Sequence, residues 1–102
     1  MAFQNAYDVP IIEDSTLRGK RIPIAVMTWT STNCKMIPLM FKIQDDQGIV
    51  HAVKPITVCF SEKKKHFSQW CWIFYCRSTN QYCPEEFRMI YYTEDLKWEM
   101  II

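Results

Sequence analysis

From residue 21 onward the chain meets a proline, a glycine or a cluster of polar turn formers about every eight to twelve residues, a spacing typical of successive short strands. A helix of ordinary length needs about 10 to 12 uninterrupted residues with apolar side chains three and four apart. The segments between these breaks alternate with a period of two instead. Residues 22–30 (IPIAVMTWT) set Ile22, Ile24, Val26 and Thr28 on one parity and Pro23, Ala25, Met27 and Trp29 on the other. After a turn at 31–33 comes 36–43 (MIPLMFKI), where Pro38 cannot donate to a ladder and so predicts an edge or a bulge. Asp45, Asp46 and Gly48 mark a hairpin turn. The long run 49–60 carries Pro55 near its middle and reads as two short strands or one sharply bent one.

Residues 61–68 (SEKKKHFS) read as a charged break. Residues 69–77 (QWCWIFYCR) are the strongest strand of the chain, with Trp70, Trp72, Phe74 and Cys76 on one face and Cys71, Ile73 and Tyr75 on the other. A strand apolar on both faces is ordinarily covered twice. A polar loop at 78–84 leads to a closing hairpin, 86–92 and 97–102, which opposes Phe87, Met89 and Tyr91 to Trp98, Met100 and Ile102. The expectation is an all-β fold: a strongly twisted antiparallel meander of about six strands curled into a small barrel or roll. It occupies 21–102 as a single domain. Residues 1–20 form an N-terminal arm, or alternatively supply a short edge strand through 9–12, and a single helical turn is conceivable only at 13–20, where Gly19 ends it.

Composition narrows the function classes. The chain of 102 residues is 49% hydrophobic and 15% aromatic, which excludes intrinsic disorder, and its formal charge of +1 creates no whole-molecule field for nucleic acid or an acidic membrane. The N-terminus has no basic segment followed by an apolar one, and the most apolar stretch, 70–76, falls far short of the roughly 20 residues of a membrane-spanning helix. A cytoplasmic protein without membrane contact is expected. Cysteines at 34, 59, 71, 76 and 83 are odd in number and suit a reducing compartment as free thiols. Their spacings include no C-x2-C pair, and His51 and His66 lie far off, so neither a metal nor a cofactor is expected.

A thiol nucleophile with its base would need Cys59 or Cys76 within reach of His51 or His66. There is no glycine-rich phosphate loop and no nucleophile elbow, and the acidic pairs Asp45-Asp46, Glu85-Glu86 and Glu94-Asp95 fall at turns or loop ends where carboxylates are solvated. The chain is expected not to be an enzyme. Lys63, Lys64, Lys65 and His66 lie close to Trp70, a pairing with which a small β-barrel holds single-stranded nucleic acid, phosphates on the lysines and a base on the ring. The plainer account is a run of lysines that solubilises a loop and discourages edge pairing.

The surplus of aromatic and methionine side chains says more. Met27, Trp29, Met40, Trp72, Tyr92 and Trp98 exceed what the interior of so small a barrel holds, and these residue types are enriched at the cores of protein interfaces. They are the candidates for an interface with a second copy or a protein partner, unless Phe3, Tyr7, Val9, Ile11 and Ile12 of the arm cover them. A non-enzymatic interaction module is therefore the leading expectation, and weak single-stranded nucleic-acid binding through the lysine and Trp70 region is the alternative.

Tyr75, Cys76 and Arg77 end one strand, a polar loop follows, and then come 87–92 (FRMIYY) and a closing strand that begins Lys97-Trp98. Together with the strand, acidic-glycine turn and strand of 36–53, this arrangement resembles small uncharacterised proteins of Clostridia and related Firmicutes. The resemblance spans 22–102. It implies a small β-rich bacterial domain and carries over no catalytic residues.

Overall fold

The alternating runs become seven strands: β1 (Arg21–Thr30), β2 (Met36–Gln44), β3 (Val50–Val53), β4 (Thr57–His66), β5 (Gln69–Arg77), β6 (Glu86–Tyr92) and β7 (Lys97–Ile101). The computed structural model describes residues 18–66 and 68–102, so the expected arm lies outside the described residues except for its last three. Of those, Lys20 exchanges backbone hydrogen bonds with Ile102 at 2.8 and 3.0 Å and extends the ladder between β1 and β7.

The described strands follow one another in two hairpin series, β1 to β3 and β4 to β7, and the first of them pairs with the last. The spatial order is β3-β2-β1-β7-β6-β5-β4, antiparallel throughout. This order has a geometric consequence. β3 and β4 are consecutive in the chain yet stand at opposite edges of the sheet. Laid flat, seven strands spaced about 4.8 Å apart would separate those edges by about 29 Å. The connection through residues 54–56 spans at most about 14 Å. The sheet must curl, and β2 comes up against β4. The edges themselves do not pair, so the result is a roll and not a closed barrel.

Two bulges add to the curvature. The β1–β2 register passes from Met27↔Met40 to Thr28↔Pro38 and skips Leu39, which places the irregularity beside the proline that predicted it. The β4–β5 register likewise skips Cys59, between Val58↔Cys76 and Phe60↔Tyr75. Pro55 does divide 49–60, ending β3 and preceding β4.

The charged break expected at 61–68 is corrected. β4 runs on through Ser61, Glu62 and the three lysines to His66, each of them paired with β5. The lysines look like a loop in composition, but a strand at a sheet edge tolerates them because their stems lie along apolar neighbours while the ammonium groups reach water.

β5 and β6 are buried on both faces, as the double alternation of 69–77 requires. On the inner face, Phe41 and Val53 from β2 and β3 meet Phe74, Cys76, Phe87, Met89 and Met100 from the other half of the sheet. The Phe41 and Phe87 rings meet edge to face at 5.5 Å. On the outer face, Cys71, Ile73, Ile90 and Ile101 are fully buried beside Tyr92. Full burial of side chains of this size contributes about 1.5 to 3 kcal/mol each.

Candidate interaction surfaces

β1 changes partners along its length. Residues 21–24 pair with β7, whereas 25–30 pair with β2 alone among the described strands. Past the point where β7 departs, the side chains on the outward parity of β1 and β2 are exposed or half-buried. Met27 and Trp29 stand 57% and 58% exposed there, opposite Met40 and Ile37, and Leu39 is pushed out by the bulge at 45%. No charged side chain lies among these five. Met27, Trp29 and Met40, half of the expected interface residues, thus come together on one neutral apolar surface.

The other three go elsewhere. Trp72 and Trp98 pack half-buried against the inner core, Trp98 tilted against Phe74 at 5.4 Å and against Tyr91 at 4.9 Å. Tyr92 is a correction, because it is only 6% exposed and belongs to no surface. Its hydroxyl donates to Glu99 Oε1 at 2.7 Å and accepts from Arg21 Nη1 at 3.2 Å. Burial, then the hydrogen bond to Glu99, pushes its ionisation far above the usual phenol range. Sequence parity places Tyr91 and Tyr92 on opposite faces without saying which face is interior.

The nucleic-acid candidates divide by strand alternation. Lys63 and Lys65 share a face with Trp70, their ammonium groups 5.1 and 5.6 Å from its ring centroid, and the ring is 46% exposed. Lys64 and His66 point the other way. Lys64 lies 3.8 Å from Glu62. His66 is buried, with Nε2 3.3 Å from Arg21 Nη1; since a guanidinium can only donate, Nε2 accepts and the proton of the neutral ring sits on Nδ1. A compact basic and aromatic site of two lysines and one tryptophan remains of the five candidates that the sequence offered between 63 and 70.

The thiol and histidine dyads are not assembled. Cys59 and His66 stand seven residues apart on one extended strand, about 23 Å. Cys76 Sγ lies against Met89 Sδ at 3.8 Å, and its thiol is pushed up to about 12 by burial and by nearby Cys59. His51 stacks on Tyr82 with centroids 3.9 Å apart and holds Asp45 Oδ2 at 2.9 Å. That bond, followed by the amide of Ile49, draws the Asp45 carboxyl below its ordinary range and fastens the β2–β3 turn. Among the described residues no three His, Cys, Asp or Glu side chains converge to hold a metal ion, and no helix is long and apolar enough to cross a membrane.

Where β1 leaves β7, a groove of about 630 Å³ opens between them, with Val26, Thr28 and Met36 on one wall and Tyr91, Leu96 and Trp98 on the other. Leu96 sits on the β6–β7 turn at φ 55°, a left-handed conformation that a γ-branched side chain adopts at a cost, and it is 73% exposed. Comparisons with protein-family models, with curated proteins and with solved structures gave no match.

Proposed function

We propose that this protein is a non-enzymatic, cytoplasmic β interaction module that engages a protein surface through the outward face of β1 and β2. The observation that carries this reading is the uncharged cluster of Met27, Trp29, Ile37, Leu39 and Met40, three of them about half exposed or more. Contiguous apolar patches on soluble monomers are ordinarily small, and large ones mark contact sites. Tryptophan and methionine also supply the bulky, adaptable contacts found at interface cores. The separation of Cys59 from His66 along β4 speaks against that pair as a catalytic dyad.

The test is a comparison of captured proteins from native lysate, using wild type and a Met27→Glu, Trp29→Glu double variant that unfolds at the same urea midpoint. A second copy or a distinct partner recovered by the wild type and lost from the variant is the expected result. Identical recoveries would remove the reading.

A second reading rests on Lys63 and Lys65 flanking exposed Trp70, an arrangement suited to one stacked base and two phosphates. It makes any binding of single strands weak and steeply salt-dependent. Fluorescence anisotropy with a short labelled oligonucleotide at low salt separates the two readings: a rise abolished by Trp70→Ala supports nucleic acid, and a flat titration discards it.

A further inference from the structure

Several stretches of strand edge are open among the described strands, and they differ in what they offer a partner; beside 36–40 of β2, Pro38 cannot donate to a ladder. β3 is four residues long. β4 is ten residues long but carries Lys63, Lys64 and Lys65, so pairing with its own copy would set lysines against lysines. The open edge of β1 is internal. Past Ile24↔Trp98, β1 has no described strand on its β7 side, and its residues Ala25, Val26, Met27, Thr28, Trp29 and Thr30 are uncharged and mostly β-branched, aromatic or methionine. This is the composition that pairs most readily with another strand. The edge opens onto the 630 Å³ groove, where a strand has room beside it, and Leu96 stands exposed on the far wall.

We infer that the occupant of this groove is β1 of a second copy, paired antiparallel about a two-fold axis that passes beside Thr28. The inference deepens the docking reading above and rests on it. Two-fold pairing of a strand with itself places residue i opposite j and j opposite i. Centred on Thr28, it opposes Met27 to Trp29 of the other protomer twice over on the outer face. On the inner face it sets Thr28 against Thr28 and Val26 against Thr30. Each of these pairs is favourable across strands: the methionine sulfur rests on an aromatic ring, and the threonines suit a hydrogen bond between hydroxyls. No charge meets its like. The apolar clusters of the two protomers become continuous across the axis, and the sheets join edge to edge. A paired strand and its flanking side chains bury an area at the low end of specific interfaces, so the dimer is expected to assemble over micromolar concentrations.

The experiment is sedimentation velocity on wild type, Thr28→Lys, Thr28→Glu and an equimolar mixture of the two variants, from about 1 to about 200 µM, a range that spans the affinities expected of small interfaces. Thr28 is exposed, so both substitutions leave the monomer fold in place, with circular dichroism as the control. Wild type should dimerise. Each variant alone should associate at least tenfold more weakly, because it sets like charges opposite each other at the axis, and the mixture should recover dimer through the Lys and Glu pair. A wild type monomeric at 200 µM, a single variant as dimeric as wild type, or a mixture that stays monomeric would each overturn the inference. The lysate comparison with Met27→Glu, Trp29→Glu is read separately: a distinct partner lost from that variant would preserve the docking reading while self-pairing falls, and identical recoveries would end both.

Discussion

β5 and β1 are of similar length and both carry apolar side chains on both parities, yet they meet opposite fates. β5 lies between β4 and β6, with Cys71 and Ile73 sealed on one face and Phe74 and Cys76 on the other. The far half of β1 has one neighbour among the described strands, and Met27 and Trp29 on its outward parity are more than half exposed. Apolar composition alone does not decide burial; the number of paired neighbours and the layer above do. The contrast divides the molecule into a part that holds the fold and a part left available for contact.

The largest expected effect lies in the sealed part. Ile90→Ala removes a fully buried side chain from the outer-face cluster and should cost about 2 to 5 kcal/mol in urea unfolding. A loss under 1 kcal/mol would mean that the outer face is looser than its burial implies. Next, Tyr92→Phe deletes the hydroxyl that links Arg21 to Glu99, which leaves both groups without that partner, at a cost of about 1 to 3 kcal/mol. By contrast Met27→Ala, on the open strand, should change monomer stability by no more than about 0.5 kcal/mol. A larger loss would erase the distinction between the two strands.

The smallest effect is a pH dependence at the exposed β2–β3 turn. The folded state holds the Asp45 carboxyl below its unfolded value of about 3.9, so its contribution is present above that pH and disappears as the pH falls through the folded value. The stability gap between wild type and Asp45→Asn should therefore narrow on acidification from about pH 5 to about pH 3. A gap that stays constant would assign the turn to its backbone geometry alone.

Much of this fold was legible because strand alternation is local. Residues 69–77 announced their two faces, Pro38 its bulge, and Gly48, at φ 84°, its turn. Two features were not legible. The lysines of β4 have the composition of a loop, and only their pairing with Trp70, Cys71 and Trp72 shows them to be an edge strand. The union of β1 with β7 joins segments some 75 residues apart in sequence, and no nearby residue encodes such a pairing. The candidate site inherits that asymmetry. Met27, Trp29 and Met40 belong to one hairpin and were bound to meet, whereas Trp72, Tyr92 and Trp98 depended on which face the roll turned inward.

The short connection between β3 and β4 also bears on how the molecule can move. With its two outer edges held within about 14 Å of each other, the roll cannot unfurl along that side without losing ladder pairs elsewhere. A parting of its walls that keeps every strand paired is left to the places where facing strands are already unpaired, between β1 and β7 past Ile24 and between the start of β2 and β4. Residues 54–56 thus act as a clasp at one end of the roll, and a second copy seated on β1 would stand across the mouth between β1 and β7.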